Sequence, residues 1–291
     1  MDVGKYLAKI VLNDVEITLD CLTKLQNLHQ LHIPWENLDV FTNRRKRLVV
    51  EEMYEQIVVQ HRGGWCHELN GLFAWLLRSL GFEVKMVSAN YCLPETGEFE
   101  GDFGHLALIV RLAGEDYLAE VGLGSVNQPF SPLLLVEGES ESDQPGGEYR
   151  LVRTEAHWVL QHQERNIEGH HQHHKNRLNT HPSWKSLFRF EETARELSEF
   201  QAMCDQHQTN KEIILANAPL AFIMADQGRV VNTLTGRRFT SVRFLGGAEV
   251  RTNQLSLTNQ EYNQTLRNTF GIELPQPLDI ENIYIKEMFQ Q

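Results

Sequence analysis

Residues 62–70 read Arg62-Gly63-Gly64-Trp65-Cys66-His67-Glu68-Leu69-Asn70 and run into an apolar repeat. Leu69, Leu72, Phe73, Leu76, Leu77 and Leu80 fall at i, i+3, i+4, i+7, i+8 and i+11. That spacing puts all six on one face of an α-helix. Gly81 follows the last of them and suits a left-handed C-terminal cap. Upstream, Gly63 and Gly64 permit a tight turn with positive φ. Cys66 thus stands at or near a helix N-terminus, where unpaired N–H groups and the positive end of the dipole favour a thiolate. A thiolate attacks a thioester or amide carbonyl; a neutral thiol does so poorly. The alternative for Cys66 is a small buried packing residue, the usual fate of a free cysteine.

Working outward, residues 1–82 read as mainly helical. Leu22, Leu25, Leu28 and Leu31 recur at three-residue steps, and 50–60 suits another helix. After Gly81 the pattern changes to short runs of strand formers at 82–91, 105–112, 117–121, 149–152 and 157–161, an antiparallel sheet or small barrel. The polar stretch 137–148 reads as a surface loop. A helix is expected over 191–204, then strands over 220–224, 230–234 and 238–244. A last helix begins near Thr258, which has capping-box spacing to Glu261. The expected class is α+β, with boundaries at 1–82, 83–190 and 191–291.

Acidic residues outnumber basic ones, 39 to 27, for a net charge of -12, which disfavours nucleic acid and anionic membrane surfaces as partners. Arg44-Arg45-Lys46-Arg47 is the densest basic run and reads as a solvated turn. The N-terminal stretch is interrupted by charge, unlike a signal peptide or membrane span. Cys21, Cys66, Cys92 and Cys204 are scattered, without metal-ligand or disulfide-scaffold spacing. Reduced thiols in a cytoplasmic protein follow as the expectation. Cys21, Cys92 and Cys204 read as packing thiols, and Leu72, Phe73 and Leu76 as core. Gly169-His170-His171-Gln172-His173-His174 has metal-like spacing but no adjacent carboxylate or thiolate, and a polar loop is preferred.

A nucleophilic thiol needs a base, and the base an orienting carboxylate. His105 opens the run His-Leu-Ala-Leu-Ile-Val, and Glu120 lies among apolar residues in Tyr-Leu-Ala-Glu-Val. An unpaired carboxylate there would be costly, so Glu120 is a candidate partner for His105. Register does not join them: a turn centred on Gly114-Glu115 sets His105 opposite Gly124.

The segment Arg-Gly-Gly-Trp-Cys-His-Glu-Leu-Asn resembles the cysteine signature of the arylamine N-acetyltransferases. Ile33-Pro34-Trp35-Glu36-Asn37-Leu38, the His105 strand, Tyr117-Leu118-Ala119-Glu120-Val121-Gly122-Leu123-Gly124 and Trp184–Phe190 are similar to further elements of that family, in order. Asp205–Thr209 and Gly236–Phe239 are weaker matches. The resemblance implies a three-part fold of helical bundle, antiparallel β-barrel and α/β lid, with a cysteine-protease-like core. It implies a triad of Cys66, His105 and Glu120, and ping-pong acetyl transfer from acetyl-CoA to aromatic amines or hydrazines, as in xenobiotic metabolism. It implies an acceptor pocket at Trp35, Leu123, Gly124 and Ser125, coenzyme A contacts at Gly101, Gly104 and Thr209, and no metal. Two departures stand out. Position 120 is Glu where the family has Asp, which changes the reach to His105. The loop 98–104 carries Glu98, Glu100 and Asp102 where coenzyme A phosphates are expected. Rival readings are a thiol hydrolase or amide synthase on the same scaffold, and a catalytically silent binding protein.

Overall fold

The computed structural model describes residues 1–42, 44–93, 96–139, 144–163, 184–210, 213–245 and 248–281. The histidine-rich stretch 169–174 lies outside the described residues.

Asp2 and Thr18 start the first two helices, each accepting a backbone N–H in its side chain, from Lys5 and Cys21 respectively. These helices are α1 (Val3–Lys9) and α2 (Leu19–His32). The leucine stripe of α2 behaves as its spacing predicts: Leu22 and Leu25 are fully buried, and Leu28 and Leu31 pack at the core margin. Strand β1 (Trp35–Glu36) follows, then the short helices α3 (Leu38–Phe41) and α4 (Val50–Tyr54). The latter continues as a π-helical turn over Glu55–Val59. Helix α5 (Cys66–Ser79) is the centre of the bundle, with Leu69, Leu72, Phe73, Leu76 and Leu77 all buried.

The turn before α5 differs in kind from the expectation. Neither Gly63 nor Gly64 has positive φ; His61 does, at 55°. The glycines are required instead by close approach. A Cβ on Gly63 would lie 2.0 Å from the Pro34 carbonyl oxygen, and one on Gly64 2.8 Å from the Glu68 Cβ. Arg44–Arg47 is not wholly solvated either. Lys46 is buried, because its ammonium closes an ion network described below.

The next strands are β2 (Glu83–Tyr91), β3 (His105–Leu112), β4 (Glu115–Ala119), β5 (Leu133–Leu134), β6 (Gly138–Glu139), β7 (Glu148–Arg153), β8 (Trp158–Gln163) and β9 (Lys185–Arg195). They form one antiparallel sheet in the order β5-β4-β3-β2-β9-β8-β7-β6, curled against α5. Strand β9 runs five residues into the segment expected to be helical. It lies between β2 and β8, pairing Ala194 with Val87 and Arg195 with Met86, and these ladder bonds override local helix propensity. A 3₁₀ turn over Leu197–Phe200 then leads to α6 (Gln201–Thr209). The loop after β6 is not entirely at the surface. Gln144 is buried, and its Oε1 accepts the backbone N–H groups of Phe130 and Ser131 at 2.6 and 3.0 Å.

The remaining elements are α7 (Ile214–Asn217), β10 (Leu220–Ala225), β11 (Val230–Thr235), β12 (Arg238–Leu245), β13 (Ala248–Gln254) and α8 (Asn259–Phe270). The second sheet has the order β1-β10-β11-β12-β13. Its first strand comes from the helical region, with Trp35 opposite Phe222. Two residues are too few to show periodicity. Strand β13 carries polar residues on an edge and left no apolar alternation to read. Helix α8 begins with the expected Thr258–Glu261 capping box and ends at left-handed Gly271. Tyr262, Leu266 and Phe270 bury its inner face against β10 and β11 residues. The architecture is thus the expected α+β arrangement of helices, antiparallel sheet and mixed C-terminal unit.

Candidate active site

Cys66 is the first residue of α5, 2% exposed, with the N-terminal end of a fourteen-residue helix behind it. Glu68 caps that end by accepting the Trp65 N–H at 3.2 Å. The other side of this turn is braced by a buried ion network. Arg62 donates to Glu36 at 2.8 Å and Asp39 at 2.8 Å, and Lys46 reaches Asp39 at 2.5 Å and Glu68 at 3.3 Å. Lys46 also donates to Gln56. Burial raises the Glu68 carboxyl despite Lys46 beside it. Burial also opposes the Asp39 charge, but Lys46 and Arg62 outweigh it and hold that carboxyl below its usual range.

The open side of the turn faces the sheet. His105 begins β3 and is fully buried. Its Nε2 donates to Glu120 Oε2 at 2.7 Å. The Cys66 thiol lies near enough to the imidazole to act on its charge. Burial works against a charge on His105, but the Glu120 carboxylate, its hydrogen bond and the neighbouring Cys66 prevail and push it up to about 10.

Register explains how Glu120 arrives. The β3–β4 ladder pairs Leu112 with Glu115 and Leu108 with Ala119, so the turn is centred on Ala113-Gly114, not Gly114-Glu115. Pairing ends at Ala119, and Glu120 is released to turn inward. Its backbone is held by Gln26, which accepts the Glu120 N–H at 3.1 Å, and by Gln30, which donates to its carbonyl at 3.4 Å. Oε1 accepts Asn70 Nδ2 at 2.8 Å and the Gly122 N–H at 2.5 Å. Asn70 also donates to the Leu106 carbonyl and accepts the Val121 N–H. The longer Glu side chain is therefore accommodated by a cradle of α5 and the chain after β4. Gly122 belongs to that cradle: a Cβ there would lie 2.8 Å from Asn70 Nδ2 and 2.9 Å from the Cys66 Cα.

The other predicted positions are partly brought together. Left-handed Gly124 lies flat on Trp35, where a Cβ would meet the indole at 2.7 Å. Leu123 packs into the sheet core, and Ser125 Oγ accepts the Asn127 N–H at 3.2 Å. Gly104 is buried beside Glu100; the Gly101 carbonyl accepts Asn90 Nδ2 at 2.7 Å. Thr209 is exposed, with its hydroxyl on the Asp205 carbonyl of its own helix. That helix reaches the 98–104 loop indirectly. His207 stacks on His67 with centroids 5.7 Å apart, and His67 Nε2 donates to the Phe103 carbonyl at 3.0 Å. Burial lowers His67 to about 3 and His207 to about 4.

The acidic loop divides. Glu98 and Asp102 are exposed, while Glu100 is half-buried and faces the charge of His105. Arg189 brings a cation to the same loop, 4.9 Å over the Phe99 ring. Of the other thiols, Cys21 and Cys204 are core as expected, but Cys92 is only half-buried, in a bridge at the end of β2. Among the described residues no group of three or more His, Cys, Asp or Glu side chains is arranged to hold a metal ion, and no helix is long and apolar enough to cross a membrane.

Sequence reasoning assigned no role to Asn70, Gln26, Gln30 or Tyr91. Asn70 alone had a signal, its place in the quoted motif about one helical turn after Cys66; the rest depend on contacts 14 or more residues apart.

A family model described as N-acetyltransferase matches residues 18–278. The chain belongs to the arylamine N-acetyltransferase family. It is 28% identical to arylamine N-acetyltransferase 2 of Mus musculus over 284 residues, 96% of each chain. It is 27% identical to arylamine N-acetyltransferase 1 of Homo sapiens, again over 96% of each. Among solved structures, the arylamine N-acetyltransferase of Salmonella typhimurium superposes with TM-score 0.79 at 25% identity, covering 96% of this chain and 95% of that one. The Mycobacterium marinum arylamine N-acetyltransferase in complex with CoA gives TM-score 0.79 at 26% identity, over 93% of each chain. Membership of this family makes the protein an acetyltransferase.

Proposed function

We propose that this acetyltransferase moves an acetyl group from acetyl-CoA to an aromatic amine or hydrazine through an acetyl-Cys66 intermediate. The observation that carries the reading is the buried His105–Glu120 pair, bonded at 2.7 Å, with Cys66 near it at the first position of α5. In the first half-reaction the Cys66 sulfur bonds to the donor's carbonyl carbon, and the thioester bond to CoA breaks. His105 takes the thiol proton and returns one to the departing CoA sulfur. In the second, the amine nitrogen bonds to the same carbon, the Cys66 sulfur leaves, and His105 accepts the surplus proton of the amine. Glu120 keeps the imidazole oriented and stabilises its charged form.

The relatives' names support the acceptor class, and the CoA complex of the Mycobacterium marinum enzyme supports the donor. The fit of this chain to the donor is mixed. Arg189 favours its phosphates; exposed Glu98 and Asp102 oppose them. Gly124 against Trp35 is consistent with an aromatic acceptor lying beside that wall. Four free thiols support a reducing, cytoplasmic setting.

Intact-protein mass after incubation with acetyl-CoA tests the reading. The expected result is one acetyl group on the wild type, none on Cys66→Ala, and discharge on adding an arylamine. Discharge to water without acceleration by amine would favour a thiol hydrolase. A folded protein that takes no acetyl at any pH would overturn acetyl transfer through Cys66.

A further inference from the structure

Trp35 carries a buried hydrogen-bond donor that the fold does not use. The residue is 7% exposed, and among the described residues its Nε1 meets no hydrogen-bond partner. A dry N–H without an acceptor is costly, and such groups are rare in folded proteins. The molecule satisfies an equally buried indole elsewhere: Trp158 donates to Glu192 at 2.9 Å. Trp65 Nε1 is also unpaired, but its ring stands edge-to-face with His207.

Trp35 is fixed where it is. Its backbone lies opposite Phe222 on one side and is bridged to Gly64 on the other. Gly124, left-handed at φ 63°, covers the five-membered ring of the indole: a Cβ there would meet Cδ2 and Cε2 at 2.7 Å and Nε1 at 2.8 Å. The N–H bond lies in the ring plane, so it runs along this wall and not into Gly124. The covering loop is held in turn. Gln128 accepts the Gly124 N–H at 2.9 Å and donates to Gln30 at 2.7 Å.

Two stretches of chain tie this donor to the nucleophile. Gly122 backs onto Cys66, where a Cβ would lie 2.9 Å from its Cα, and Gly124, two residues on, backs onto Trp35. Two residues of chain span at most about 7 Å. Gly64, bridged to Trp35, stands two residues before Cys66. Cys66 and the indole are thus separated by about the length of one substituted benzene ring. An indole nitrogen only donates, so it reads an acceptor atom and nothing else. A bare or alkylated ring lying along the wall leaves the N–H unpaired, whereas an oxygen on that ring satisfies it.

We propose that Trp35 is a specificity-determining residue, whose N–H donates to an oxygen substituent on the ring of the acceptor amine and so favours arylamines that bear one. This rests on the proposed acetyl transfer, with the acceptor lying beside Trp35.

The experiment pairs para-methoxyaniline with para-ethylaniline, and meta-methoxyaniline with meta-ethylaniline. The members of each pair are close in shape, and only one has the oxygen. Discharge of the acetyl-enzyme is measured for wild type and for Trp35→Phe, which keeps an aromatic wall and loses the N–H. The readout is the methoxy-to-ethyl ratio within each protein, since any change to the wall moves both rates. Dividing by the rates of the same amines with a free acetyl thioester removes their own reactivity. Wild type is expected to favour the methoxy member of at least one pair by about tenfold, the scale of one hydrogen bond to a buried donor. In the variant that preference should fall below about twofold. No preference in the wild type for either pair would overturn the proposal, even if the variant fails to fold. So would a preference that survives in the variant. If wild type takes no acetyl from acetyl-CoA, acetyl transfer itself fails. The same ratios are then read from the dissociation constants of the amines, and the same two results overturn the role of Trp35.

Discussion

Two buried charge networks flank the first turn of α5, and they differ in one respect. Behind the turn, Glu36, Asp39 and Glu68 meet Arg62 and Lys46, cations that stay charged at any ordinary pH. In front of it, Glu120 meets His105, whose charge comes and goes with a proton. Both networks are nearly dry, and each carboxylate in them is hydrogen-bonded. The permanent pairs hold the loop and helix start in place. In the proposed reaction the titratable pair takes up the charge created when sulfur gives up its proton. Burying ions is costly in either case. What the molecule gains behind the turn is position, and in front of it, on the proposed mechanism, reactivity.

Replacing the front carboxylate should give the largest separation. Glu120→Gln keeps shape and loses charge. Cys66 acetylation is expected to fall by about 10⁴, the scale seen when the acid of a comparable triad is made an amide, with the fold retained by circular dichroism. A fall of less than about tenfold would mean that the front network does not serve the thiol.

Behind the turn, Arg62→Met should leave Glu36 and Asp39 buried beside too few cations. Chemical denaturation is expected to register a loss of ~3–5 kcal/mol, the range for breaking a buried pair on one side. If the loss is under ~1 kcal/mol, the pair behaves as a surface bridge and the contrast collapses.

Glu120→Asp sharpens the comparison within the front network. The shorter side chain cannot keep both the His105 bond and the Asn70 and Gly122 bonds at their present lengths. Acetylation should slow by about tenfold to a hundredfold, as for a misplacement of ~1 Å. A faster Asp variant would show that the cradle is not matched to Glu.

The smallest effects are on stability against pH. His105 is raised to about 10 from an ordinary 6.5, so the folded state holds its proton where the unfolded chain has lost it. Its contribution is complete below the unfolded value and is lost as pH rises from 6.5 through about 10. His67, lowered to about 3, has the opposite sign. The unfolded chain gains a proton that the folded one refuses, so stability drains as pH falls from 6.5 towards about 3. Thermal melts should show His67→Phe less acid-sensitive than wild type, and His105→Gln less alkali-sensitive. Equal slopes in variant and wild type would remove the distinction.

Much of this was readable beforehand where neighbours in sequence are also neighbours in space. The i, i+3, i+4 repeat after Cys66 and the capping box at Thr258 are local, and both formed as spacing predicts. Segment 191–195 misled because its partners are Met86 and Val87, about a hundred residues away. Lys46 read as a solvated lysine because its three anionic or amide partners come from other elements. Cys92 read as core, yet it closes a bridge at the rim of the sheet.

The amino-acid sequence by itself determined the helix that presents Cys66, the α+β class and the family, since these rest on periodicity, capping and contiguous motifs. It also supplied His105 and Glu120 as candidates by residue type. Only the tertiary structure decided how they meet. A hairpin turn one residue off the expected centre, a strand that stops at Ala119 and an asparagine on α5 together turn Glu120 inward. The same folding brings Tyr91 onto Nδ1 across a thirteen-residue excursion. The physical reason is range: backbone propensity acts within a few residues, whereas a hydrogen-bond network in a dry interior is specified by register and packing between distant elements.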